Sequence, residues 1–212
     1  MNPLHPSSQT RTGERSARSP DSRAAILAAA EAVLLDQGVE GVSIRKVSDR
    51  CGFTAPTIYH HFGDKKGLID AVLETRFAVV LKVMAAIERG SDPAAYLTEM
   101  ARAFVSFALE NPSYYRLLTV PRLEDEDVVP SAEAARGLVK NALEDLALEG
   151  TLGTSDIDEA FQVLWLMLHG LISLHLIRPI AEISPNLIER TFAVIKAGLL
   201  RREPSAPPEA TR

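Results

Sequence analysis

With one cysteine, Cys51, among its 212 residues, the chain has no means of building an internal disulfide framework, which fits a reducing compartment. A lone thiol of this kind is most often a small core residue rather than a redox sensor. Apolar runs are also short: the strongest, Phe161 to Ile177, falls below the roughly 20 residues that a membrane span needs, and it contains His169 and His175. It reads as a buried helix, so no membrane association is expected. Residues 1–20 carry arginine, serine and proline without the apolar centre of a secretory signal, and they read as a basic, disordered arm. The sequence also lacks a recognisable nucleophile with its base, a cluster of metal ligands and a phosphate-cradling glycine loop. An enzyme is therefore not expected, nor a cofactor or a metal.

What is present is an ordinary globular balance, 46% hydrophobic and 24% charged. The net charge of −5 is unevenly placed: residues 1–67 sum to +2 and the remainder to −7. Binding to a polyanion, if it occurs, belongs to the N-terminal part.

Apolar residues recur at three-to-four spacing nearly throughout, and no segment alternates as a strand does, so an all-α fold is expected. Ser22 is placed to cap a first helix with Ile26, Ala30, Val33 and Leu34 on one face and Gly38 beyond its end. Ser43 caps a short second helix closed by Gly52, and Thr54 caps a third with Pro56 in its first turn. After Gly63, Asp64 opens a long helix whose apolar residues run from Ile69 to Ile87. Ser91, Asp92 and Pro93 open the next, which stops at Asn111 and Pro112, and a short turn of helix surrounds Tyr114 to Leu118. The acidic stretch Glu124 to Asp127 reads as a solvated loop; a helix over Ser131 to Leu148 follows, then an apolar one opened by Ser155 or Asp156, then a last one opened by Ser184 and Pro185. The tail 203–212 is rich in proline and alanine and reads as disordered.

Two short helices around a glycine-containing turn are the physical recipe for a helix-turn-helix, whose second helix enters the major groove of DNA. Here that second helix begins with the small residues Thr54, Ala55, Pro56 and Thr57, which allow close approach to base edges; Tyr59, His60 and His61 follow, with Lys65 beyond. Adjacent His60 and His61 project about 100° apart on a helix and do not form a metal site together.

The literal residues are more specific than the spacing. The alanine-rich first helix, Gly38, Gly41 with Ser43 and Ile44, Cys51-Gly52-Phe53, Thr57-Ile58-Tyr59-His60-His61-Phe62 and Lys65 together resemble the DNA-binding domain of the TetR family from Ser22 to Leu73. That resemblance implies that Ala55, Pro56, Thr57 and His60 lie nearest the bases, that Tyr59, His61 and Lys65 hold phosphates, and that Ser43 and Arg45 touch phosphate or an adjacent base. Several family members carry a larger polar residue near Ala55 or Pro56, so apolar contact to thymine methyls or water-mediated readout takes a larger share here.

The C-terminal half is similar to one branch of the same family's regulatory domains, through Asn111-Pro112, Tyr114-Tyr115-Arg116-Leu117, Trp165 and His169-Gly170. The resemblance implies an inducer pocket and a dimer seam formed by the last two long helices. Independently, those two helices are too apolar to face solvent all round. Candidate pocket residues are Phe104, Phe107, Tyr114, Tyr115, Trp165, Met167 and His169, mostly apolar with a few polar tips.

The expected organisation is thus an arm (1–20), a three-helix DNA-binding domain (21–67), and a helical ligand-binding and dimerisation domain (68–202) reached through a long helix, then the tail. The expected function is a cytoplasmic, ligand-responsive transcriptional regulator that represses by binding palindromic double-stranded operator DNA as a homodimer until a small, largely apolar inducer releases it. The alternative is a small-molecule binding protein that does not recognise DNA sequence, against which the Thr57 to Phe62 segment and Lys65 argue.

Overall fold

The computed structural model describes residues 20–119, 129–177 and 186–200, and the regular elements among them are all helices. The arm, the acidic run at 124–127, the Ser184–Pro185 start of the last helix and the tail lie outside the described residues.

Helix α1 spans Pro20–Gly41 and buries Ile26, Ala30, Val33 and Leu34. It starts two residues earlier than the Ser22 cap expected from the sequence. Ser22 is instead fully buried within it, its Oγ 2.9 Å from Nε2 of His61. A serine that finds a tertiary partner no longer serves the helix end. Gly38 interrupts α1 at φ 68, which makes it a kink rather than a terminus.

Helix α2 (Ile44–Cys51) begins at Ser43, whose Oγ accepts from the Lys46 N–H, and ends at Gly52 in the left-handed region, φ 76. That turn carries the chain into α3 (Ala55–Phe62), with Pro56 in the first turn. Thr54 occupies the cap position, but its hydroxyl pairs with that of Thr57 at 3.0 Å instead of a backbone N–H. Val47 and Ile58, fully buried, join α2 and α3 to the face of α1. Asp64 caps α4 (Lys65–Ala85) by accepting from the Gly67 N–H at 2.7 Å.

Helix α5 (Pro93–Glu110) is capped by Asp92, whose Oδ1 accepts from the N–H groups of Ala94 and Ala95. It is followed by α6 (Pro112–Leu118), α7 (Pro130–Leu148), α8 (Ile157–Ile177) and α9 (Leu187–Leu199). Asp156, rather than Ser155, opens α8, accepting from the Glu159 N–H at 3.0 Å. Helix α5 packs on α7 and α8, and α9 lies against α8 and α5. Met100, Leu143, Leu146 and Ile172 form the centre of this bundle. An isolated bridge between Leu152 and Leu200 is the only β-type pairing among the described residues.

The described chain divides into two compact units, one of residues 20–76 with 116–119 and 129, the other of 77–115, 130–177 and 186–200. The first crossing falls inside α4, between Arg76 and Phe77, and the second inside α6, between Tyr115 and Arg116.

The length of α8 corrects the reading of its sequence. Four more residues, Ile157 to Ala160, bring it to 21, long and apolar enough to cross a membrane by length and composition. Only 22% of its most apolar stretch is buried within the chain, so the burial expected of it from the sequence is not supplied by this chain alone. Its inner positions, Ala160, Leu164, Leu168 and Ile172, are buried at three-to-four spacing. Leu166 (70% exposed), Leu174 (64%) and Ile177 (76%) occupy the opposite side, and Val194 of α9 is 61% exposed.

Candidate nucleic-acid interface and sensor core

In the N-terminal unit, burying Ile58 leaves the other side of α3 facing outward. Pro56, Tyr59 and His60 are exposed there, with Tyr59 at 49%, while Ala55 and Thr57 are half-buried. Arg45 is exposed on α2 and meets Asp49 at 4.0 Å, a solvent-facing pair too weak to hold it. Thr54 is exposed, Ser43 is occupied as a cap, and Lys65 is half-buried at the start of α4. Small side chains at the N-terminal end of α3 leave its free N–H groups and positive dipole end accessible to an anion.

The same unit treats its other candidates differently. His61 is half-buried and directed to Ser22, and the Arg23 guanidinium lies 5.2 Å from the Phe62 ring centre. Together these contacts tie the C-terminal end of α3 to the start of α1. Lys46 is spanned between Gln37 Oε1 (2.6 Å) and the Gly41 carbonyl (2.9 Å), and Lys66 is paired with Asp70 at 2.9 Å. The Arg76 guanidinium forms an ion pair with Glu31 that holds α4 to α1, and Arg116 donates to the Leu35 carbonyl at 2.7 Å. No local pattern signals the Ser22 and Arg116 contacts, because their partners lie 39 and 81 residues away.

In the C-terminal unit, three of the seven pocket candidates converge on the imidazole of a fourth. The ring of His169 lies 3.9 Å from Trp165, 5.4 Å from Phe104 and 5.5 Å from Tyr115, centre to centre. The Tyr115 hydroxyl is 3.0 Å from His169 Nδ1, 3.3 Å from the His169 carbonyl and 3.0 Å from Ser173 Oγ. Ser173 was not foreseen, although its position four residues after His169 puts it on the same helix face. His169 Nε2 is buried and has no hydrogen-bond partner among the described residues. Burial pushes the His169 pKa down to about 4, so the ring is neutral at pH 7. Burial also raises the Tyr115 pKa, against a hydrogen bond from Ser173 that lowers it.

The remaining candidates stand apart from this cluster. Phe107 and Tyr114 pair edge-to-face with ring centres 5.8 Å apart, and Met167 is half-buried elsewhere on α8. A shallow open cleft is lined by none of the seven; Leu97, Ala101, Leu164, Phe192, Ile195 and Leu199 form its apolar walls. Near it, Arg102 pairs with Glu189, whose carboxylate raises the Arg102 pKa and is itself lowered in return. No group of three or more His, Cys, Asp or Glu residues able to hold a metal occurs among the described residues.

Residues 26–72 match the sequence model of the bacterial regulatory proteins of the tetR family, and residues 97–197 match that of the tetracyclin repressor-like C-terminal domain. The chain is 31% identical over 114 residues to the HTH-type transcriptional activator FasR of Mycolicibacterium smegmatis, covering 53% of this chain and 52% of that one. It is 33% identical over 104 residues to the HTH-type transcriptional repressor AcnR of Corynebacterium glutamicum, covering 49% and 48%. The chain thus spans about half the length of each of these curated relatives. Its fold is that of a TetR family transcription regulator from Marinobacter aquaeolei VT8, with a TM-score of 0.71 at 19% identity over 91% of this chain and 100% of that one.

Proposed function

Because this chain belongs to the TetR family of transcriptional regulators, we propose that it is a cytoplasmic, ligand-responsive repressor that binds palindromic operator DNA as a homodimer and is released by a small, largely apolar inducer. The observation that carries this reading is the outward face of α3. A recognition helix needs small residues where it approaches bases and hydrogen-bonding or basic groups where it meets phosphates. Pro56 and His60 lie exposed on that face beside half-buried Ala55 and Thr57, and Tyr59 stands out at 49% exposure. Ala55, Pro56, Thr57 and His60 take the bases; Tyr59, Lys65 and Arg45 take phosphates, with Ser43 and Thr54 beside them. His61 takes phosphate as well, while its Nε2 contact with Ser22 ties the end of α3 to α1.

In this reading residues 21–67 are the DNA-binding domain and 68–202 the sensor and dimerisation domain. The dimer seam is the outer face of α8 and α9, where Leu166, Leu174, Ile177 and Val194 are exposed. A second copy covers that face more economically than a bilayer, since the inner face of the same helix is committed to the bundle. The C-terminal domain is of the branch marked by Trp165 and His169-Gly170, with Phe104, Tyr115, Trp165 and His169 as the ligand-responsive core and Phe107, Tyr114 and Met167 around it. Repression is the sign of action borne by the Corynebacterium relative's name, and promoter occlusion requires nothing beyond DNA binding.

Induction runs through the two places where the chain passes between its compact units inside a helix. Helix α4 is one lever. Helix α6 is the other, because Tyr115 bonds to His169 and Ser173 while the next residue, Arg116, holds the Leu35 carbonyl of α1. Coupling of this kind requires that the ligand prefer one arrangement of these elements over the other.

Fluorescence anisotropy with DNA from upstream of the coding region, at two salt concentrations, tests the reading. The wild type is expected to bind saturably against competitor DNA, with Tyr59→Ala and Lys65→Ala each weakening it and Lys65→Ala also making the salt dependence shallower. Equal affinity for random DNA would contradict it at that site.

A further inference from the structure

In the N-terminal unit, Arg23 is held by a ring rather than by a carboxylate. Its guanidinium carbon lies 5.2 Å from the ring centre of Phe62, within the range of a cation–π attraction. Other cations of the unit are committed elsewhere: Lys46 to Gln37 and the Gly41 carbonyl, Lys66 to Asp70 and Arg76 to Glu31. Arg23 is exposed and has no ion pair among the described residues. A ring offers the ion no lone pair, so the five N–H donors of the guanidinium remain available to an oxygen acceptor.

The length of α3 decides which acceptor can reach it. Eight residues at about 1.5 Å each make a helix of about 12 Å, close to the width of the major groove. With Ala55 and Pro56 against base edges, the other end of α3, His61 and Phe62, comes to the sugar-phosphate wall. Two adjacent residues of α1 meet that end. Ser22, fully buried, places its Oγ 2.9 Å from His61 Nε2, and Arg23 lies over Phe62. The buried serine seats the first turn of α1, and the ring steers the head of the arginine beside it. A side chain restrained in this way before binding gives up less entropy when it meets an anion.

We propose that Arg23 is a phosphate-binding residue of the operator complex, one on each protomer, which carries the DNA contact from the recognition helix onto α1. The inference rests on the DNA-binding reading above and widens its footprint, since this phosphate is additional to those held by Tyr59, Lys65 and Arg45. The guanidinium donates to a phosphodiester oxygen and reads no base, so it strengthens binding to all sequences alike.

Anisotropy titrations of the full-length protein over a range of salt, on an operator recovered by selection from random DNA, test this with Arg23→Gln and Arg23→Lys. Gln keeps a planar head without the charge; Lys keeps the charge. Arg23→Gln should weaken binding severalfold and flatten the slope of log affinity against log salt by about 2, one phosphate on each of two protomers. Arg23→Lys should keep the wild-type slope, and selection should return the same motif with all three proteins. Duplexes with a neutral methylphosphonate at single positions then locate the contact. One position in each half-site should weaken the wild type severalfold and leave Arg23→Gln unaffected. An unchanged slope in Arg23→Gln, a flattened slope in Arg23→Lys, or equal sensitivity of wild type and Arg23→Gln to every methylphosphonate overturns the proposal. So does an altered motif, which would make Arg23 a positioning residue of α3. A wild type that recovers no motif brings down the DNA-binding reading and this contact with it, whereas a wild-type motif with an unchanged Arg23→Gln slope brings down the contact alone.

Discussion

His169 is set apart from the other histidines by burial among three aromatic rings, which brings its pKa down to about 4 from an ordinary 6.5. The folded protein therefore resists a proton that the unfolded chain accepts. Between these two values the unfolded state holds more protons, so stability falls as the pH is lowered through that window and is fully regained above it. The contribution amounts to about 3 kcal/mol at most, the 1.36 kcal/mol of each pKa unit taken over the interval. Denaturant unfolding at pH 7 and pH 4.5 should show the wild type losing more stability than His169→Phe does; an equal loss in the two proteins would contradict the burial account. At this scale the sequence was informative about residue type and silent about pairing. The candidates Phe104, Tyr115, Trp165 and His169 do meet, but Phe107 and Tyr114 form a pair of their own, since a list of aromatic residues does not say which helix faces turn toward each other. Ser22 looked like a cap because serine favours helix starts; its burial against His61 depends on a contact 39 residues away, which no local pattern encodes.

Helix boundaries were legible wherever a local backbone requirement set them. Asp64, Asp92 and Ser43 cap the helices they were expected to cap, and Gly52 closes α2 at φ 76. A Cβ at Gly52 would meet nothing within 4 Å, so the cost of Gly52→Ala is conformational alone. Thermal unfolding should register a loss of about 1 kcal/mol, without loss of helix content at 25 °C; an unchanged midpoint would mean that the turn relaxes. Helix α6 was recognised as a helix but not as a connection, because its importance comes from adjacent residues with partners in different compact units. Arg116→Ala removes the bond to the Leu35 carbonyl while leaving Tyr115 and its network in place. It should preserve ligand binding seen by Trp165 fluorescence and reduce the ligand-induced change in operator affinity severalfold, by coupling energies of about 1–3 kcal/mol. Full retention of the response would assign the coupling to α4 alone.

For the molecule as a whole, the all-helical fold and the family were readable from motifs concentrated in the first third of the chain, while the extent of the exposed apolar surface was not. The sequence led to an α8 too apolar to face solvent all round; the structure gives it one face in the bundle and another outside, with Leu166 and Leu174 on the outer one. Periodicity cannot distinguish a helix enclosed by its own chain from one enclosed by a second copy. Leu166→Glu with Leu174→Glu places two charges on that face, and sedimentation should show a dimer becoming a monomer with folded helices and much weaker operator binding. A variant that remains dimeric would move the seam elsewhere.

The central claim is sequence-specific recognition of DNA by a two-fold symmetric protein. Selection of bound fragments from a random double-stranded library by the full-length protein, followed by sequencing, tests it most directly. The account predicts enrichment of an inverted repeat whose half-sites are centred about 10 base pairs apart or at a closely related spacing, and loss of that enrichment in Tyr59→Ala. Recovery of DNA with no shared motif, in amounts governed by salt alone, would contradict it.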